Sequence, residues 1–499
     1  MNKKYDVIII GSGLGGLQCA YILAKHGYKV AIFEKESQHG GCLQIFRRKG
    51  YTFDTGMHYI GALGEGEVMH TVFDYFDLFK DVKIKRLDAD GFDLVTFGGK
   101  TFSYAMGYDN FAETLSSYFP AEREGIFRYI RTIQEIAYSS PMYNLKEINQ
   151  PTYIESEYIK RSVGEFIASF TDNKELQQVL AGTNPLYAGV PDKTPVYVHA
   201  LIMHSYIRSS YRIVGGSHTI VDSLIQSIKS MGGEVFANQE IVKIHCNDER
   251  ATSIENSKGE LFEATSFISN IHPAKTIQLI NSHLIRNAYR HRMESMENTV
   301  SNFSLYIAFK PNTVKYMNHN IFHYDSNSVW NCQQYTDEEW PKNYLFMHHS
   351  RHLDEVYAET AQVITYMNYD DVKAWENTSV GHRGADYLAF KEQKAQRILD
   401  KLEVKFPGFR DTVAFYETSS PLTYRDYTGT KDGSLYGVLR DYSCPAQTLV
   451  QQRTKIPNLF LTGQNINSHG FLGVSIGAII TSAEFLGINT IVKEINIKK

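Results

Sequence analysis

The 499-residue sequence lacks several features that would assign it to a particular class of protein. It has no uncharged apolar run near the ~20 residues that a membrane-spanning helix needs, since the longest candidate, Phe471 to Leu486, carries Glu484 and several hydroxyl groups. Its net charge of −4 shows no basic excess, and no nucleic-acid partner is predicted. The five cysteines are scattered and form no C-x-x-C pair, which favours reduced thiols in a cytosolic protein over a disulfide framework or a zinc site.

What the sequence does have is an aromatic content of 13 %, which excludes a disordered chain. Its first residues have the pattern of a βαβ unit. Tyr5 to Ile10 and Lys29 to Glu34 are short apolar runs typical of buried parallel strands, and Leu17 to His26 has a helical pattern. The unit predicts a parallel sheet at the start of the chain.

A glycine-rich turn, Gly11-Ser12-Gly13-Leu14-Gly15-Gly16, joins the first strand to the helix and satisfies G-x-G-x-x-G. In this pattern the first glycine permits a sharp turn, the second lets the backbone approach a pyrophosphate, and the third lets helix pack on strand. The helix N-terminus attracts the phosphate charge. Glu34 ends the second strand, where a carboxylate accepts hydrogen bonds from ribose hydroxyls and disfavours NADP. The turn therefore predicts a dinucleotide site, and leaves FAD and NAD open.

Five segments of the chain carry further motifs. They are Glu34–Gly61 with its GGC and FDTGMHYIG, Tyr211–Ile244, Phe267–Pro273 (FISNIHP), Ser420–Gly437 and Asn458–Gly477 (NLFLTGQNINSHGFLGVSIG). In this order they resemble the retinol saturase-like members of the phytoene desaturase and carotenoid oxidoreductase flavoprotein family, within the amine oxidase class. Together they span much of the chain, and the resemblance implies FAD as the cofactor.

The resemblance also implies an α/β fold. A Rossmann-like FAD-binding domain of the glutathione reductase type, in the amine oxidase and phytoene desaturase subclass, is expected beside a second, mixed α+β substrate domain. The expected FAD-binding domain is discontinuous and comprises residues 1–75, 210–290 and 425–499. Residues 76–209 and 291–424 are expected to form the substrate domain.

The residues that the resemblance places around FAD are Gly11, Gly13, Gly15, Gly16, Glu34, Lys35, Gly40, Gly41, Cys42, Val242, Gly463, Gln464, Leu472, Gly473 and Val474. The fingerprint glycines are expected at the pyrophosphate, residues 40–42 at the phosphates or the ribityl chain, and the Val242 backbone at the adenine. Residues 463–464 are expected at the ribityl–pyrophosphate region. Residues 472–474 are expected to open a helix at the pyrimidine edge, where a helix N-terminus stabilises negative charge on a reduced flavin.

The chain departs from the family pattern at Gln464 and Asn465, where an acidic residue is common. An amide still binds a hydroxyl or donates to a phosphate, so FAD remains the expected cofactor. No second G-x-G-x-x-G follows a strand, and no C-x-x-C is present, so neither a nicotinamide domain nor flavin-linked disulfide reduction is predicted. The electron source is left open, with NAD(P)H as a candidate external donor.

Saturating a C=C bond requires a hydride at one carbon and a proton at the other. His58 and Tyr59, in the DTGMHYIG segment, are the candidate proton donors, and the alternative is that both pack and orient the loop. His469 is a weaker candidate. The HHSRH cluster (His348, His349, His352) lacks evident further ligands, so no metal is predicted and a polar loop is the default.

The sequence thus predicts an FAD-dependent oxidoreductase acting on C=C or C–C bonds of a long hydrophobic polyene, carotenoid or retinoid-like substrate, with saturation favoured over desaturation. Redox-neutral carotenoid isomerisation with reduced FAD is one alternative. A non-catalytic prenyl- or lipid-binding protein on the same fold is the other. A cytoplasmic location with peripheral membrane contact is expected, and the oligomeric state is left open.

Overall fold

The computed structural model describes residues 4–147, 156–326, 328–466 and 468–497. Strands in the described residues are β1 Lys4–Ile10, β2 Val30–Phe33, β3 Ile45–Arg48, β4 Tyr51–Asp54, β5 Ile60–Gly61, β6 Lys83–Arg86, β7 Asp93–Phe97, β8 Lys100–Tyr104, β9 Ser210–Val214, β10 Glu234–Phe236, β11 Ile241–Cys246, β12 Ala251–Asn256, β13 Leu261–Ser269, β14 Ser301–Phe309, β15 Asn320–Tyr324, β16 Asn343–His348, β17 Thr360–Met367, β18 Val413–Ser419 and β19 Leu459–Leu461.

The α-helices of the same residues are α1 Leu14–Lys25, α2 Val68–Tyr75, α3 Tyr108–Tyr118, α4 Arg123–Ser139, α5 Ser156–Ile159, α6 Val163–Ala168, α7 Lys174–Leu180, α8 Val196–Arg208, α9 His218–Ser230, α10 Pro273–Gln278, α11 Asn287–Ser295, α12 Ala385–Lys405, α13 Phe409–Thr412, α14 Pro421–Thr428, α15 Pro445–Thr448, α16 Gly470–Leu486 and α17 Ile488–Ile497. None of these helices is both long and apolar enough to cross a bilayer.

The first sheet has the strand order β10-β2-β1-β13-β12-β11, with β19 also paired to β13. The pairs of β1 with β2 and with β13 are parallel, as are β2 with β10 and β13 with β19. One face packs on α1, α9 and α16, and the other on α10 and α11. Burial on both faces explains the continuous apolar run at the end of β1 and brings the carboxyl ends of β1 and β2 together at one edge.

The second sheet has the order β18-β14-β17-β16-β15-β7-β8 and is antiparallel except between β15 and β7. Its strand β14 differs from expectation. The alternation of Phe303, Leu305, Ile307 and Phe309 predicts a half-buried strand, but every residue of β14 is buried. The cause is that α12 covers these four side chains while Tyr306 and Ala308 pack against Phe53 on the opposite face.

The two large sheets draw on alternating parts of the chain. The first takes strands from residues 4–33, 234–269 and 459–461, and the second from residues 93–104, 301–367 and 413–419. The helices α3, α4, α6, α7 and α8 pack against the second sheet around a core that includes Phe166, Met203 and Tyr366. The boundaries proposed for the two discontinuous domains stay a prediction.

Candidate dinucleotide and substrate site

A single cavity of about 770 Å³ runs from the carboxyl ends of β1 and β2 to the second sheet. One end is lined by the glycine-rich turn and Glu34, and the other by aromatic and aliphatic side chains that include Tyr206, Tyr366 and Tyr436. The structure therefore joins the predicted dinucleotide site to an apolar compartment of the kind that takes small-molecule ligands.

The glycine-rich turn is shaped by close backbone approaches. Gly11 has a φ of +92°, and a Cβ at Gly16 would overlap the Gly11 carbonyl oxygen. A Cβ at Gly15 would lie 2.8 Å from Asn270 Oδ1 and 3.0 Å from Gly463 N. Gly11, Gly13 and Gly15 line the cavity, whereas Gly16 is absent from its lining. Gly16 thus serves helix–strand packing, and the other three leave room beside the backbone.

Glu34 is buried, with 6 % of its surface exposed, and its position is fixed by hydrogen bonds. Its Oε2 accepts from the Ser12 backbone N–H at 2.9 Å and from the Ser12 hydroxyl at 2.7 Å, and its Oε1 accepts from the Glu36 N–H at 3.0 Å. Three hydrogen bonds on two oxygens leave the carboxyl group little freedom to rotate. The carboxylate is preorganised at the cavity wall.

The segment from Gly40 to Cys42 closes on the glycine-rich turn. The Gly40 N–H donates to Ser12 Oγ at 3.2 Å, and a Cβ at Gly41 would lie 3.2 Å from Gly13 Cα. All three residues of the segment line the cavity. Burial raises the pKa of the Cys42 thiol to about 11, so Cys42 contributes a neutral thiol to the wall.

Helix α16 begins at the cavity, and its residues Leu472, Gly473 and Val474 line the wall. No side chain caps its N-terminus among the described residues, which leaves the N–H groups of its first turn directed at the cavity. A hydrogen bond of 2.8 Å from Gln18 Nε2 to Ser475 Oγ ties this helix to α1. Two helix N-termini therefore face one space.

The remaining predicted cofactor residues fall in different places. Gly463, Gln464 and Lys35 line the cavity, and the Lys35 ammonium also donates to the Asp426 carbonyl. Val242 is 44 % exposed, and its neighbours in residues 239–241 line the cavity. The contact of the Val242 backbone with the adenine stays a prediction. The apolar run from 234 to 244 forms two strands, and an irregularity in the β11–β12 pairing falls between Ile241 and Lys243.

The two amides at the family's acidic position are also separated. Asn465 Oδ1 accepts from the Val438 N–H at 3.0 Å, so this carboxamide is engaged with the backbone. Gln464 also lines the cavity, and its side chain has no such anchor among the residues that the structure describes.

These residues fit a flavin dinucleotide. The wall has glycines whose Cβ atoms would fill the cradle, two helix N-termini for phosphate or flavin charge, and a fixed carboxylate for a ribose. The cavity then continues past this cradle into the apolar compartment. The individual contacts of each residue with FAD stay predictions.

Tyr59 lies where the cavity meets the second sheet. Its hydroxyl donates to Asp93 Oδ2 at 2.8 Å, and its ring centroid lies 4.5 Å from that of Tyr206. Burial, together with the nearby Asp93 charge, raises the pKa of Tyr59 well above its usual value. Tyr59 is therefore a neutral donor held against a carboxyl group.

Asp93 opens strand β7 and is fully buried. Its Oδ1 accepts from Asn320 Nδ2 at 2.7 Å, and Asn320 Oδ1 in turn accepts from the Arg212 guanidinium at 3.0 Å. Burial raises the pKa of Asp93 to about 7, because the hydrogen bonds from Asn320 and Tyr59 and the Arg212 charge offset only part of the lost solvation.

His58 also lines the cavity, but its Nδ1 is buried and has no hydrogen-bond partner among the described residues. Burial lowers its pKa to about 4, with the Asp54 charge opposing and the Arg212 charge adding to that shift. His469 lies against the Tyr436 ring at 4.4 Å between centroids, and burial lowers its pKa to about 4 as well. Both rings are neutral near pH 7, so neither supplies an imidazolium.

The apolar compartment has a few polar groups in its wall. Asn343 and Thr365 lie on the adjacent strands β16 and β17, and Asn343 Oδ1 and Thr365 Oγ1 have no partner within the described residues. Buried polar groups without partners are uncommon, and ligand sites are where they occur.

The three histidines of the HHSRH cluster serve separate roles. His348 Nδ1 accepts from the Met317 N–H at 3.0 Å, His349 Nδ1 lies 3.1 Å from Thr360 Oγ1, and the His352 side chain is 75 % exposed. Within the residues that the structure describes, no group of three or more His, Cys, Asp or Glu side chains could hold a metal ion.

Sequence reasoning missed Asp93, Asn320, Arg212 and Asn270. Asp93 carried a signal, because a carboxylate that opens the otherwise apolar strand DLVTF calls for a partner. Arg212 lies inside the Tyr211–Ile244 motif as a cation within an apolar run. Asn270 lies inside the Phe267–Pro273 motif, which was its signal. Asn320 carried none, since its role arises when distant strands come together.

Comparison with known proteins agrees with this geometry. The family of NAD(P)-binding Rossmann-like domains matches residues 9–76. The all-trans-retinol 13,14-reductases of Danio rerio and Rattus norvegicus are 25 % and 27 % identical, over 98 % of this chain and 87 % and 86 % of theirs. A prolycopene isomerase of an Oncidium hybrid cultivar is 24 % identical over 87 % of this chain and 75 % of its own. The resemblance found in the sequence is confirmed.

Solved structures share the fold. An oxidoreductase from Methanosarcina mazei aligns with a TM-score of 0.65 at 18 % identity, over 96 % of this chain and 99 % of its own. Cyclohexylamine oxidase from Brevibacterium oxydans aligns with a TM-score of 0.61 at 12 % identity, over 99 % and 100 %. These likenesses confirm the predicted α/β fold with a Rossmann-like domain and a second mixed domain. The names of the relatives support an oxidoreductase.

Proposed function

We propose that the protein is an FAD-dependent oxidoreductase that saturates C=C bonds of a long hydrophobic polyene or retinoid-like substrate. One observation carries the proposal: the cradle of glycines and helix N-termini opens into an apolar, aromatic-lined compartment within the same cavity. The similarity to retinol reductases along 98 % of the chain supports the substrate class and the C=C specificity.

The residues divide the work between the two ends. Glu34 and the glycine-rich turn hold the dinucleotide, and α16 presents N–H groups to the ring system. When bound, the flavin supplies or accepts a hydride. Tyr206, Tyr366, Tyr436 and their aliphatic neighbours exclude water from the substrate, and Asn343 and Thr365 hold a polar group on it.

The test is a measurement of flavin content followed by turnover. Purified protein reconstituted with FAD is expected to hold it at a one-to-one ratio. Incubation with reduced FAD and a polyene is expected to yield a product heavier by two hydrogen atoms. Protein that shows no flavin absorbance after reconstitution would overturn the proposal.

Redox-neutral isomerisation is the second candidate, favoured by the match to a prolycopene isomerase over 87 % of the chain. The same incubation separates the two, because an isomerase yields a product of unchanged mass and different geometry. A non-catalytic lipid-binding protein is the third reading. It predicts a polyene that co-purifies with protein lacking flavin.

The electron donor, the location and the membrane contact are also proposals, and the donor and the membrane contact each have their own assay. NAD(P)H is the proposed external donor, and its oxidation in the presence of polyene and FAD tests it. A cytoplasmic location with peripheral membrane contact is proposed because a lipid-soluble substrate must be extracted from a bilayer. Flotation with vesicles, with and without dissolved polyene, measures that contact.

A further inference from the structure

The buried carboxyl of Asp93 lies in surroundings that compensate only part of the solvation it has lost. It lies at the start of a strand, fully buried, and the groups that donate to it are the uncharged Tyr59 hydroxyl and Asn320 amide. The Arg212 guanidinium does not bond Asp93 directly: it donates to Asn320 Oδ1, and it also donates to the backbone carbonyls of His348 and His319. A carboxyl placed in this way costs stability whenever it is ionised.

The Asp93 carboxyl is one hydrogen bond from the cavity. Tyr59 lines the cavity, stacks near Tyr206 and contacts Asp93 through its hydroxyl. When Asp93 is ionised, the Tyr59 hydroxyl donates its hydrogen bond to the carboxylate. When Asp93 is protonated, it can donate to Tyr59 Oη, which frees the Tyr59 proton to turn towards the cavity.

We propose that Asp93 is the proton reservoir of the cavity and acts through the Tyr59 hydroxyl, which donates a proton to one carbon of the double bond being saturated. This rests on the proposed function, whose reduced flavin provides the hydride for the other carbon. At Tyr59 the O–H bond breaks as a C–H bond forms, and the Asp93 proton restores the phenol. Asp93 is left as a carboxylate, which takes a proton from water after the product leaves. Tyr59 is then a catalytic residue and Asp93 a positioning residue.

Other groups near Asp93 do not titrate in its range. The titratable and charged side chains that face it or its Arg212 partner are Tyr59, Tyr104 of β8, Tyr206 of α8, Tyr316, Arg212 of β9, His58, His319, His348 of β16 and the following His349. Burial raises the pKa of the four tyrosines and lowers that of the four histidines. Across neutral pH these eight side chains stay uncharged, which leaves Asp93 as the group that changes its charge.

The first test uses the flavin-free protein. Infrared spectra from about pH 5 to about pH 9 are expected to show a protonated carboxyl that ionises near pH 7. The signal is expected to be absent in Asp93→Asn and present in Asp88→Asn, a matched change at a half-exposed carboxylate nearby. In Tyr59→Phe the carboxyl band is expected to persist at a shifted frequency, because one hydrogen bond is lost. A carboxyl already ionised at about pH 5 would overturn the proposal.

The second test uses the holoprotein with reduced FAD and a polyene. The rate is expected to fall as pH rises through about 7, since the donor must be protonated. Asp93→Asn and Tyr59→Phe are each expected to lose about 100-fold in kcat and to lose this dependence on pH. Asp88→Asn is expected to keep both. An Asp93→Asn protein with the wild-type rate or pH profile would overturn the relay alone. A wild-type holoprotein that binds flavin but reduces no polyene would overturn the proposed function instead.

Discussion

The two ends of the cavity are built by different means. At the dinucleotide end the contacts are made by backbone and by glycines that lie within a few residues of each other, from Gly11 to Gly16 and from Gly40 to Cys42. At the substrate end, Tyr59, Asp93, Arg212 and Asn320 come from four separate elements and act through their side chains. The first end rests mainly on two local turns, to which Asn270, Gly463 and α16 are added from later in the chain, whereas the second end exists only after the sheets have assembled.

The largest effect is expected from removing the buried carboxyl group at the substrate end. Burial raises the pKa of Asp93 from 3.8 to about 7. The contribution of Asp93 to the free energy of unfolding is therefore fully present below pH 3.8 and is lost as pH rises through about 7. Asp93→Asn cannot ionise. Its free energy of unfolding, relative to wild type, is expected to increase by on the order of 3 kcal/mol from about pH 5 to about pH 8.

Urea unfolding at both pH values measures this difference, with Asp88→Asn as the control for a half-exposed carboxylate. A difference that stays constant with pH would show that Asp93 is ionised throughout, and the substrate end would then resemble an ordinary ion-pair network.

The next effect breaks the backbone cradle at the dinucleotide end. In Gly15→Ala the new Cβ meets Asn270 Oδ1 at 2.8 Å and Gly463 N at 3.0 Å, so the wall must shift. Flavin affinity is expected to fall by roughly 30-fold, which corresponds to about 2 kcal/mol of overpacking. Fluorescence titration with FAD measures it. In the control, Gly91→Ala, the Cβ has only an ordinary contact at 3.4 Å with Leu94, and unchanged affinity is expected. Equal affinities in the two variants would refute the cradle.

A smaller effect tests the one acidic side chain at that end. Glu34 accepts from Ser12 and Glu36, and Gln in its place keeps the shape but removes the charge. Glu34→Gln is expected to weaken FAD binding tenfold, which corresponds to about 1.4 kcal/mol. Glu175→Gln is the control, because Glu175 pairs with Lys100 at 2.9 Å and both residues lie outside the cavity lining. Riboflavin lacks the adenosine portion of FAD. If Glu34→Gln weakened riboflavin binding as much as FAD binding, Glu34 would not contact the adenosine.

This comparison also explains what could be predicted from sequence. The βαβ unit, the glycine-rich turn and the place of Glu34 follow from local pattern. The structure has both strands within one residue of the predicted bounds, and the helix starts at Leu14, three residues before the predicted Leu17. The contact of the Val242 backbone with the adenine stays a prediction, and the structure brings the neighbouring residues 239–241 to the cavity lining. Asp93 and Asn320 lie 227 positions apart in the chain, and no local pattern predicts that their side chains meet.

The smallest expected effect concerns His58, the other candidate proton donor of the sequence. Burial lowers its pKa to about 4, so its neutral ring favours folding above its ordinary value of 6.5, and that stability is lost as pH falls towards 4. The ring therefore carries no extra proton at neutral pH. His58→Asn is expected to lower kcat by no more than about threefold and to leave the pH profile in place. Tyr59→Phe, at the next position, is expected to abolish that profile.

The two variants can be compared in one series of rates from about pH 5 to about pH 9. A loss of about 100-fold in kcat for His58→Asn, with no loss for Tyr59→Phe, would show that His58 is the proton donor and that Asp93 takes no part in the proton transfer. The substrate end would then depend on a local motif, as the dinucleotide end does.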